Sequence, residues 1–151
     1  MSVCKFLAAD IPLQEVKPLK DYPVHIDIDK EIIDDGGADD NFFLLSFSDI
    51  GDYTGKKHGV CLEWNYTDGR AEKIVEYIKE NLKKTEEVEL WHVWLMDYYE
   101  YEDSPVIHKR TISIEEMTIR DIEEIDSAEI WNKPDKQLPG RPSFYCLVIT
   151  R

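Results

Sequence analysis

Residues 88–95, Val-Glu-Leu-Trp-His-Val-Trp-Leu, place large side chains on both sides of an extended chain. Regular alternation puts Leu90, His92 and Trp94 on one face and Trp91 and Val93 on the other, so Trp91 and Trp94 do not share a face. Such a strand belongs inside a sheet covered on both sides, or lends its second face to an interface. Any fold that buries it is layered around a sheet.

The other periodic segments supply the layers. Val3 to Ala9 reads as a strand, followed by a connector punctuated by Pro12, Pro18 and Pro23. Residues 24–29 alternate with period two and predict a short edge strand; residues 34–41 are loop-forming, and 42–47 return to the core. Gly59 to Trp64 is strand-like. Ala71, Ile74, Val75, Ile78 and Leu82 recur at helical spacing, with Thr67 or Asp68 as the cap, and predict a helix over 68–84 in which Glu80 and Lys84 pair.

Val106 to Ile112 is the next strand. Ser113 and Glu116 form a capping-box pattern, and Met117, Ile119, Ile122 and Ile125 place one helix over about 114–126, or a second start at Thr118 or Arg120. After a Pro-rich loop over 131–142, residues 143–149 form an apolar, interior strand. The order from residue 59 onward is βαββαβ, which predicts an α+β fold. Its antiparallel or mixed sheet carries helices mainly on one face, as a ferredoxin-like core with N-terminal strand additions. With 151 residues, 42% of them hydrophobic, the chain is expected to form a single domain over 1–151.

Eighteen basic against 32 acidic residues leave a net charge of −14. A field of that sign disfavours nucleic acid and anionic membranes, and the short groups Lys56–His58, Lys83–Lys84 and His108–Arg110 do not form a basic patch. A basic protein partner fits the charge. Residues 1–5 lack the apolar core of a secretory signal, and no apolar run approaches a bilayer span, so a cytoplasmic location is expected. Cys4, Cys61 and Cys146 are far apart in sequence and read as reduced core thiols without zinc-type spacing.

No motif specifies a reaction or a cofactor. Residues 51–57 lack the complete spacing of a phosphate loop, and the serines lack a nucleophile-elbow context. Three functional expectations remain. The first is an interaction or inhibitor-like module that meets a basic partner through Trp91, Tyr98, Tyr99, Glu100, Tyr101, Glu102 and Asp103, combining rings with carboxylates. The second is an acid–base site around His92 with Glu63 or Asp97. His108, Arg110 and Tyr145 form a weaker polar set. The third is a divalent-cation site within the acidic stretch 27–40, with Asp34, Asp35, Asp39 and Asp40 as candidate ligands, although the spacing does not reproduce a helix–loop–helix calcium site. An exposed edge strand also leaves pairing into a homo-oligomer open.

Overall fold

The computed structural model of the chain describes residues 2–17, 25–34, 39–95, 106–128 and 143–151. Six strands build one mixed sheet: β1 (Ser2–Ala9), β4 (Phe43–Ser46), β5 (His58–Glu63), β6 (Glu87–Leu95), β7 (Val106–Ser113) and β8 (Ser143–Thr150). Their spatial order is β4-β5-β1-β6-β8-β7. Among the described residues only β7 and β8 pair in parallel; the remaining ladders are antiparallel. Among the described residues two α-helices, α1 (Asp68–Leu82) and α2 (Ile119–Asp126), lie in the connections β5-α1-β6 and β7-α2-β8.

The α+β class and the mixed sheet agree with the sequence reading, but the ferredoxin-like order does not form. The N-terminal strand, expected as an extension, wedges between β5 and β6 and becomes an interior strand. Its Phe6, Leu7, Ala8 and Ala9 are fully buried, and a strand apolar on both faces is most stable where both faces are covered. The last strand then enters between β6 and β7, beside β7 in parallel, and the crossover that such a pairing requires includes α2. Of the expected edge strand over 24–29, the described residues 25–29 do not join the sheet edge. Instead β2 (His25–Asp27) pairs with β3 (Ile32–Asp34) as a separate antiparallel hairpin.

Each face of the large sheet has its own apolar cluster. Leu7, Leu62, Val88, Leu90, Leu147 and Ile149 meet Ala71, Ile74, Ile78, Ile122 and Ile125 of the two helices. Both helices therefore cover one face. On the opposite face lie Cys4, Phe6, Ala8, Trp91, Val93, Phe144, Cys146 and Val148, joined by Ile50 with Phe47 and Tyr53 packed against them. The Phe6 ring sits 5.2 Å from Phe47, 5.6 Å from Tyr53 and 6.0 Å from Trp91. Gly59 permits this cover: a Cβ there would stand 2.4 Å from Ile50 Cγ2 and 3.3 Å from the carbonyl oxygens of Leu7 and Phe47. Burying each such aliphatic or aromatic side chain contributes about 1.5–3 kcal/mol before conformational entropy is subtracted.

Thr67 caps α1, its hydroxyl accepting the Arg70 N–H at 3.2 Å. The helix ends at Leu82, and Glu80 pairs with the C-cap residue Lys83 at 2.7 Å, where the spacing predicted Lys84. The second helix begins later than the capping pattern at Ser113 suggests. Ser113 stays in β7, paired with Thr150, and its carbonyl accepts the N–H groups of Glu116 and Met117 in a turn. Thr118 is the cap, and the Asp121 carboxylate accepts its N–H at 2.9 Å.

Candidate functional site

The strand registers align a row of side chains across the sheet that sequence spacing does not reveal. Lys5 of β1 stands opposite His92 of β6, His92 opposite Tyr145 of β8, and Tyr145 opposite His108 of β7. His92 is fully buried, and its Nδ1 lies 2.8 Å from the carbonyl oxygen of Ile125 at the end of α2. A carbonyl only accepts, so Nδ1 carries the proton. The Tyr145 ring meets His92 edge-on at 6.1 Å and stacks on His108 at 4.9 Å. Lys5 pairs with Asp126, whose Oδ1 also accepts Trp64 Nε1–H at 2.9 Å. Two members of the row thus tie the carboxyl end of α2 to the sheet, Lys5 of β1 through the Asp126 carboxylate and His92 of β6 through the Ile125 carbonyl.

This geometry does not make the acid–base pair expected of His92 and Glu63. β1 lies between their strands, and the two side chains serve opposite faces: His92 reaches α2, whereas Glu63 accepts from the thiol of Cys61, which packs against the second cluster. Adjacent strands were needed to bring them together, and the inserted N-terminal strand removes that adjacency. Asp97 lies outside the described residues. Arg110, taken in sequence with His108 and Tyr145, turns to α2 and pairs with Asp121 at 3.0 Å and Glu124 at 3.3 Å.

Trp91 also differs from its expected place on a partner-facing surface. It is 2% exposed, and its Nε1–H donates to Glu89 Oε2 at 2.7 Å. Trp94 is partly buried against the cluster that contains Trp91, so the two indoles contribute to one apolar cluster instead of two. Glu89 was not singled out from sequence, although a carboxylate in a strand of large apolar residues is a signal of a built polar contact. Thr54 Oγ1–H donates to it at 2.6 Å, and Lys109 Nζ lies 3.7 Å from it and 5.9 Å from the Trp91 ring centre. Beside it, Lys56 joins Glu87 and Asp10; burial opposes its charge, but the bonds to the two carboxylates outweigh that and raise its pKa. Residues 51–57, weighed above as a phosphate loop, thus supply contacts that hold the segment to the sheet. Tyr98, Tyr99, Glu100, Tyr101, Glu102 and Asp103 lie outside the described residues.

The acidic stretch 27–40 is divided by the structure. Asp34 ends β3, Asp35 lies outside the described residues, and Asp39 and Asp40 form an exposed turn, with Asp39 beside Gly69 in the first turn of α1. Among the described residues no group of three His, Cys, Asp or Glu side chains is arranged to hold a metal ion. What this stretch does present is an apolar point within acidic surroundings. Ile28 is 77% exposed in the turn of the β2–β3 hairpin and Ile32 is 51% exposed, with Asp27, Asp29 and Glu31 interleaved in the chain. Asp27 Oδ1 accepts the Lys30 N–H at 3.1 Å, and Glu31 takes a left-handed φ of 54°, which together form the turn. Isolated exposed isoleucines are ordinary on a surface; two on one short acidic hairpin form a candidate contact element.

The large sheet and its helices define an α+β protein with a mixed six-stranded sheet, and among the described residues no helix is long and apolar enough to cross a membrane. No protein-family model matches the chain, and neither a curated protein nor a solved structure is significantly similar to it.

Proposed function

We propose that the chain is an interaction module, inhibitor-like in its action, that binds a basic protein partner through the β2–β3 hairpin. The observation that carries this reading is the exposure of Ile28 and Ile32 among Asp27, Asp29 and Glu31 on a chain of net charge −14. Apolar contact supplies affinity and the carboxylates supply orientation and encounter rate, so the matching surface is cationic with an apolar recess. Tyr98, Tyr99, Glu100, Tyr101, Glu102 and Asp103 keep their sequence-based assignment as a second acidic–aromatic contact in this reading. Trp91 is left out of it, because its indole is buried and bonded.

Full-length protein applied to an array of random peptides of graded charge and hydropathy tests the proposal. Binding concentrates on peptides that combine Lys or Arg with aliphatic residues, and it falls as salt rises from about 0.05 to about 0.3 M. Ile28→Ser and Glu31→Lys each weaken that binding by about tenfold, equivalent to ~1.4 kcal/mol. Peptide selection without a basic preference, or binding that these substitutions leave unchanged, overturns the reading.

A further inference from the structure

We propose that Cys4 and Cys61 form an oxidisable dithiol, a modification site closed to a disulfide by a peroxide or by a low-molecular-weight disulfide. The two residues are 57 positions apart in sequence, yet their sulfurs are 3.4 Å apart across the β1–β5 ladder. Cys4 does not stand directly opposite Cys61: Phe6 pairs with Cys61, so the two thiols are diagonal neighbours on the second face of the sheet. A disulfide bond is about 2.05 Å long, so closing it requires a relative sulfur movement of ~1.4 Å, which between diagonal strand neighbours takes a small backbone adjustment together with side-chain rotation. The two thiols also differ in access. Cys4 is buried, whereas Cys61 is partly exposed and meets the oxidant first. Cys146 is buried and takes no part in this pair.

With a disulfide oxidant, the Cys61 thiolate attacks one oxidant sulfur, breaks its S–S bond and expels one thiolate. The Cys4 sulfur then attacks the Cys61 sulfur in the mixed disulfide and expels the second. Two protein thiols are oxidised, one disulfide is reduced to two small thiols, and the two protein protons pass to them. With a peroxide, Cys61 first becomes a sulfenic acid and water leaves; Cys4 attacks it and a second water leaves. The hydrogen bond with Cys4, burial and the nearby Glu63 carboxylate push the Cys61 thiol pKa upward. The reaction therefore accelerates as pH rises, and the site responds to sustained oxidation rather than to a brief pulse.

Full-length protein incubated with glutathione disulfide, then quenched in acid, is digested and mapped by mass spectrometry. A peptide joining Cys4 to Cys61 appears, and the denatured protein retains one of its three free thiols. Cys146→Ser still forms the bridge, Cys61→Ser does not, and dithiothreitol restores the starting thiol count. The bridged chain unfolds at a higher urea concentration than the reduced chain, because the link restricts the unfolded state. A bridge that includes Cys146, a mixed disulfide that persists on Cys61, or three intact thiols after oxidation overturns the proposal. Mapping of the wild-type chain decides the pairing even if a variant fails to fold, and the outcome is independent of the hairpin reading.

Discussion

Nδ1 of His92 donates to the carbonyl oxygen of Ile125 at 2.8 Å, so a fully buried ring on an interior strand ties the last turn of α2 to the sheet. The arrangement explains a histidine in the middle of an apolar strand without invoking catalysis. The imidazole spans the gap between sheet and helix, and Tyr145 packs edge-on against it.

His92→Ala removes the donor and leaves a cavity between β6 and α2. Unfolding in urea is expected to show a loss of about 2–4 kcal/mol, from the transfer and cavity terms plus the lost hydrogen bond to Ile125. A loss below ~0.5 kcal/mol, the range of ordinary surface substitutions, would contradict the bridging role.

Glu89→Ala withdraws the acceptor shared by Thr54 and Trp91 and the partner of Lys109. Leaving the buried indole N–H unpaired is expected to destabilise the chain by about 2–4 kcal/mol. The segment held through Thr54 should loosen as well, seen as faster amide exchange at residues 50–57. Unchanged exchange there would separate Glu89 from the closure of the second face.

Alkaline pH should unfold the protein through several groups acting in one direction. Burial raises Tyr66 and Tyr77 from the ordinary 10.0 to about 12. The bond with Cys4 raises Cys61, burial raises Cys146, and bonds to Glu87 and Asp10 raise Lys56 against the opposing effect of its burial. Each raised pKa means that the folded state holds its proton to a higher pH than the unfolded state. The resulting stability is complete below the unfolded values of 9.0 for Cys, 10.0 for Tyr and 10.5 for Lys, and it is lost as pH climbs through the folded values. Urea midpoints should therefore fall between about pH 9 and about pH 12, and ultraviolet titration should find Tyr66 and Tyr77 ionising late. A midpoint constant over that interval would reject the linkage.

The sequence by itself determined the local elements. Apolar spacing at Ala71, Ile74, Ile78 and Leu82 identified α1, and the large side chains on both faces of β6 and the unbroken apolar run of β8 marked interior strands, because periodicity and burial are properties of a segment. Net charge pointed to a basic partner for the same reason: it is a sum over residues that needs no geometry. Pairing was decided only by the tertiary structure. Whether β1 extends the sheet or enters its centre depends on competition among all the strands for covered positions, and no local pattern encodes that outcome. The consequences pass directly to the sites. Inserting β1 separates Glu63 from His92, aligns Lys5, His92, Tyr145 and His108 in one row, and brings Cys4 to Cys61. A register shift of one residue would turn each of these side chains to the other face, which is why their chemistry was not legible before the strands were paired.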